Sequence, residues 1–192
     1  MTFSFTETDS FFSTFQHGAI RAEFSPDRIN RDQLIFLLRS SHFLLSHAHG
    51  PKGPELLAKE PMPESLREIL PPNTLDRLVL FYTTLISPGE SRNFGLFELP
   101  VYDNPQLLSL AHSFKGKTYK KIDPRTRGED HYILIIIYPR LLRGWVGDRE
   151  YLEDVIHTFF VKYFQKNMTL DEWTDTDLLL LKEQVILTIE HD

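Results

Sequence analysis

"YILIIIYP", residues 132–139, decides how this chain is read. From Tyr132 to Tyr138 every side chain is aliphatic or aromatic, with no polar residue at alternate positions. A strand with one wet face alternates; a strand covered on both faces reads as a continuous apolar run. The β-branched Ile133, Ile135, Ile136 and Ile137 suit a pleated, packed surface. The run is far shorter than the roughly 20 residues of a membrane span. It predicts a central strand inside a sheet, with helices packed on it.

Downstream, the spacing predicts a helix over 149–166, capped by Asp148. Leu152, Val155, Ile156, Phe159, Phe160 and Tyr163 form one stripe, and Glu150, Glu153, Asp154, Lys162 and Lys166 the far side. Thr169 and Glu172 fit a capping box for a last helix over 170–182. Its "LLLL" and "QVIL" are apolar around most of the circumference. Residues 183–190 stay open between helix and strand, because Val185, Ile186, Thr188 and Ile189 favour strand.

Upstream, Asn104 and Pro105 read as the cap and first position of a helix over 105–114, burying Leu107, Leu110, Ala111 and Phe114. "RNFGLFEL" at 92–99 is strand-like. A helix over 74–86 follows from Leu75, Leu78, Val79, Tyr82, Leu85 and Ile86, and ends at Ser87-Pro88-Gly89. Residues 50–72 are dense in proline, with a short helix at 64–70. A helix over 31–48 gathers Leu34, Leu37, Leu38, Leu45 and Ala48 on one face. "GAIRAEF" at 18–24 reads as a strand. Helices and strands interleave without a βαβ period, so the class is α+β: one globular domain over 1–192 with a small mixed sheet.

"SHAHGPKGP" at 46–54 raises a chemical question, because His47 and His49 stand two apart. Joint metal ligation needs an extended backbone, on which residues i and i+2 share a face. On a helix the same pair diverges by about 200°. Read as the end of the 31–48 helix, the histidines meet the negative end of the dipole, Gly50 caps and Pro51 stops the chain. No metal site is expected on this reading. His112, His131 and His157 are scattered, and a general base needs a partner within reach that sequence does not supply.

Composition narrows the function classes. The 192 residues contain no Cys, which removes thiolate chemistry, disulfides and cysteine metal clusters. No nucleophile elbow, zinc-protease helix, P-loop or dinucleotide fingerprint occurs. The acids of "DEWTDTD" (171–177) lack the glycine and closing glutamate of a calcium loop. No cofactor is expected. The N-terminus lacks the basic and apolar regions of a secretory signal, so the expectation is a cytoplasmic protein without a membrane segment.

Charge is uneven along the chain. Residues 115–149 carry 9 basic and 4 acidic residues, whereas 150–192 carry 3 basic and 10 acidic. Lys115, Lys117, Lys120, Lys121, Arg125 and Arg127 surround Tyr119, a pattern suited to a phosphate backbone and a stacked base. The net charge of −6 opposes a nucleic-acid module. The last helix, near Trp173, presents Leu178, Leu181 and Val185, residues suited to an interface as well as to a core. The oppositely charged segments could also meet between two copies. The expected function is a non-catalytic regulatory or adaptor protein acting through contact with a protein partner or itself, with a homodimer as one form. The alternative is a nucleic-acid or anion-binding regulator using 115–127. An enzyme whose site is assembled only by folding comes third.

Overall fold

A computed structural model describes residues 29–50, 53–62, 64–70, 73–85, 97–101, 104–117, 129–146, 149–166 and 170–191. The elements run α1 (Arg31–Arg39), β1 (His42–Gly50), β2 (Gly53–Lys59), α2 (Glu64–Ile69), α3 (Thr74–Leu85), β3 (Phe97–Val101), β4 (Asn104–Lys117) and β5 (Glu129–Pro139). A 3-10 helix (Arg140–Val146) leads to α4 (Arg149–Val155), a π-helical segment (Ile156–Val161) and α5 (Lys162–Lys166). A 3-10 turn (Leu170–Glu172) precedes α6 (Asp175–His191).

The strands form one sheet in the order β2-β1-β5-β4-β3. Every pairing is antiparallel, so the sheet is not mixed. The fold is α+β, and β5 is its centre, as the isoleucine run requires. Tyr132, Leu134, Ile136 and Tyr138 enter one core with α1, α6 and the helical run of 149–166. Ile133, Ile135 and Ile137 enter the other, with Leu66 of α2 and Leu78, Val79 and Tyr82 of α3. Fully burying each such side chain contributes roughly 1.5–3 kcal/mol, an upper estimate. Three layers result: helices, sheet, helices.

Two segments read as helix are strands. The helix over 31–48 stops at Arg39; the capping box of Asn30 and Gln33 starts it, and the Ser41 hydroxyl donates to the Leu37 carbonyl at 2.5 Å near its end. Residues 42–50 are β1, with Phe43 and Leu45 on one face and Leu44 and Ala48 on the other. Residues 105–114 belong to β4: Leu108, Leu110 and Phe114 face one core, Leu107 and Ala111 the other. The reason is the same twice. A strand covered on both faces can hold leucines at any spacing, so steps of three and four do not prove a helix. Hydrogen bonding to two neighbouring strands then decides.

"SHAHGPKGP" is therefore a β-hairpin and not a helix terminus. Gly50 lies in β1 opposite Gly53 of β2, and Gly53 carries the positive φ of 109°. Residues 51 and 52 lie outside the described residues.

The C-terminal helices follow the sequence reading with two changes. The buried residues of 149–166 are Leu152, Val155, Ile156, Phe160, Val161 and Phe164, with Tyr163 turned out. Steps of four over-rotate an α-helix by about 40° each, and the wider π turn takes up that drift. α6 itself starts at Asp175, on a capping box of Thr174 and Asp177: the Thr174 N–H donates to Asp177 Oδ2 at 2.8 Å, and Asp177 N–H to Thr174 Oγ1 at 3.4 Å. Thr169 of the expected box lies outside the described residues. Residues 183–190 are helix, because α6 packs along α1 and the sheet at three- and four-residue steps. The strand read at 18–24 lies outside the described residues. Among those described, no helix is long and apolar enough to cross a membrane.

Candidate functional site

The buried histidines and charges among the described residues gather in clusters, of which the following bear on function. In the first, α6 carries Lys182 into the junction of α1, β1 and β2. Its Nζ lies 3.0 Å from Glu60 Oε1 and donates to the Ser41 carbonyl at 2.6 Å. It also stands 5.0 Å above the Phe43 ring. Glu60 Oε2 accepts from the Phe43 N–H at 2.6 Å. Burial pushes the Glu60 carboxyl above its ordinary range, and Lys182 opposes that shift. His42 sits 3.9 Å from the same carboxylate, and burial, helped by Lys182 and Lys59, lowers its pKa to about 3. It is neutral at pH 7. Every charge here already has its partner inside the protein, which suits a lock between α6 and the sheet.

The second cluster sits at the other end of β1. His47 Nε2 and Asp130 Oδ2 share a hydrogen bond at 2.7 Å, both fully buried. Asp130 Oδ1 accepts from the His131 N–H at 2.8 Å. The His47 ring stacks on Tyr132 with centroids 5.0 Å apart. The backbone here is extended, as a paired His-x-His site requires, but His47 spends one nitrogen on Asp130 and the side chain of His49 lies outside the described residues. A histidine held by a carboxylate resembles a catalytic base and its orienter. A substrate must touch such a base, and no face of this pair is open.

The third cluster joins β4 to the π-helical segment. His112, only 1% exposed, faces His157 with ring centroids 6.3 Å apart and planes at 73°. Neither ring nitrogen of His112 has a hydrogen-bond partner. Burial, then the neighbouring His157, lowers its pKa to about 4. Sequence reasoning treated these two as unrelated. Only the register of β4 against the helical layer brings them together.

The residues named from sequence fare unequally. Lys115 is exposed on β4, and Lys117 ends β4 with its backbone in register with that of Glu129 on β5. Tyr119, Lys120, Lys121, Arg125 and Arg127 lie outside the described residues, in the connection of that hairpin. Leu178, Leu181 and Val185 are buried within this chain's own core. Trp173 is half-buried, edge-on to Phe164 at 4.9 Å. The faces of α6 left outside are those of Leu180 and Leu187.

Sequence reasoning missed the outer face of α3. Leu78, Val79 and Tyr82 face the sheet, whereas Leu80, Phe81 and Leu85 are 58%, 51% and 48% exposed. Phe81 and Leu85 are one turn apart on the same face. The signal was available: "LVLFYTTL" holds more apolar residues than one buried stripe uses.

A shallow surface cavity of about 410 Å³ lies between α1 and the end of α6, lined by Arg31, Asp32, Ile35, Phe36, Arg39 and Glu190, with Arg39 and Glu190 ion-paired across it. Its two cations and two acids balance. Among the described residues no group of three or more His, Asp or Glu side chains is placed to hold a metal ion. Compared with known proteins, the chain matches no family model, no curated protein and no solved structure.

Proposed function

We propose that the protein is a non-catalytic regulatory or adaptor module of the cytoplasm, acting through protein–protein contact on the outer face of α3. The observation that carries the reading is the exposure of Leu80, Phe81 and Leu85 on a helix whose opposite face is fully used, with Phe81 and Leu85 one turn apart. Aromatic and leucine side chains exposed by half offer about 100 Å² each, so the three present about 300 Å². Patches of that size on monomers are often functional. A stable interface needs roughly 800 Å² per partner. The area therefore favours a transient contact with another protein, one that lays an apolar ridge on α3, over a permanent pair of α3 helices. The buried pairing of Lys182 with Glu60 in the first cluster supports a structural role for the charges, and a chain without cysteine is suited to a reducing compartment.

The test uses Phe81→Asp/Leu85→Asp. Both side chains point outward, so circular dichroism and the melting temperature should stay near wild type. Proteins retained by wild type and lost by the variant are then purified and titrated against both. The reading predicts at least tenfold weaker binding by the variant. Equal affinity would remove α3 as the docking face, and a wild-type mass of two chains in light scattering would make a second copy the occupant.

A further inference from the structure

We propose that His112 and His157 form a two-imidazole site for a divalent transition-metal ion, held between β4 and the π-helical segment. It goes beyond the α3 reading and lies on the opposite face of the sheet. The position of His112 is otherwise apolar: in register across the sheet it follows Leu45 and Leu134, and Leu110 and Phe114 flank it on β4. A leucine would fill that place without leaving a donor and an acceptor unpaired in the interior, which native structures rarely tolerate. The orphaned ring is therefore the feature that needs a ligand to explain it. The ring opposite comes from a second element at a distance that one shared ion spans. Metal–nitrogen bonds of about 2.0–2.1 Å, with each ring centre about 1.1 Å further on, place two ligating imidazoles about 5 Å apart on a tetrahedral ion and about 6.2–6.4 Å apart on opposite sides of one. The observed separation is 6.3 Å.

Two further observations agree. His157 lies in the π-helical segment, and such segments are frequent at functional sites because they re-aim one side chain without ending the helix. A metal takes the neutral imidazole, and the buried His112 stays neutral well below pH 7. His157 is only half-buried, which gives the ion a way in. Two nitrogen ligands on opposite sides of the ion suit tetragonal copper(II) or nickel(II), in place of tetrahedral zinc or the oxygen-seeking calcium and magnesium. Among the described residues no third ligand joins the pair, so the remaining positions fall to water and the affinity should be micromolar, not that of a closed structural site.

The experiment titrates the purified protein with Cu²⁺ alone, read by calorimetry and by electron paramagnetic resonance. One ion per chain with nitrogen hyperfine structure from two imidazoles is expected. Affinity should fall at least tenfold in His157→Ala, which removes a half-exposed ring, and in His112→Leu, while His191→Ala binds as wild type. Equal copper affinity in wild type, His157→Ala and His112→Leu would overturn the proposal, as would loss of the signal in His191→Ala. Neither result bears on Phe81, so this site and the α3 surface stand or fall separately.

Discussion

Lys182 of α6 and Glu60 beyond β2 meet inside the protein, ammonium to carboxylate at 3.0 Å, although most of the chain separates them. Lys182→Met leaves a carboxylate buried without its cation and should destabilise the protein by about 3–5 kcal/mol in denaturant unfolding. Lys182→Met/Glu60→Gln should recover most of that loss, because glutamine still accepts from the Phe43 N–H. If the double variant is as unstable as the single one, the pair is not what holds α6 to the sheet.

His47 and Asp130 give a second, independent test. Asp130→Ala should cost about 1–3 kcal/mol, since it leaves a buried imidazole nitrogen without its hydrogen-bond partner. Asp130→Asn keeps an acceptor for His47 and should lose clearly less. Equal losses in the two variants would show that side-chain volume, not the 2.7 Å hydrogen bond, matters.

Gly116 reports on packing at the β4 end of the sheet. A Cβ there would lie 2.5 Å from Leu170 Cδ1 and 2.9 Å from ring carbons of Tyr132. Tyr132 is stacked between His47 and Phe114 and has little freedom to move. Gly116→Ala should cost about 1–3 kcal/mol, seen as a drop of roughly 2–4 °C in Tm per kcal/mol. An unchanged Tm would mean that Leu170 yields freely.

Stability should depend on pH through His112. Its pKa is about 6.5 unfolded and about 4 folded. Between those values the unfolded chain binds more protons, so stability is present above pH 6.5 and is lost as pH falls toward 4. Removing the group in His112→Leu should flatten that loss by up to about 3 kcal/mol at pH 4, measured with a chelator present. His42, at about 3 in the fold, acts in the same direction, and Glu60, raised by burial, acts against it. The comparison with wild type cancels both. A curve of unchanged slope would show that His112 is not held neutral by the fold.

The two sides of α6 should separate core from surface. Leu181→Ala removes a buried side chain and should cost about 2–5 kcal/mol. Leu180→Ala, on the outer side, should stay within about 0.5 kcal/mol. Comparable losses would mean that the outer side of α6 is covered too, as a homodimer through this helix requires.

The chain's local pattern determined what needs only one environment. The isoleucine run of β5 placed the sheet, because an unbroken β-branched run marks a strand covered on both faces. The one-sided periodicity around Leu78, Val79 and Tyr82 placed α3, because an element with a single buried face writes its period into the sequence. The tertiary structure decided the rest. β1 and β4 are covered on both faces, so their leucines carry no period, and pairing with neighbouring strands made them strands. His47 meets Asp130, Lys182 meets Glu60 and His112 meets His157 only through strand register and the docking of helices on the sheet. A side chain carries its chemistry along the chain with it, but its partner is fixed by contacts between distant segments, which no local window contains.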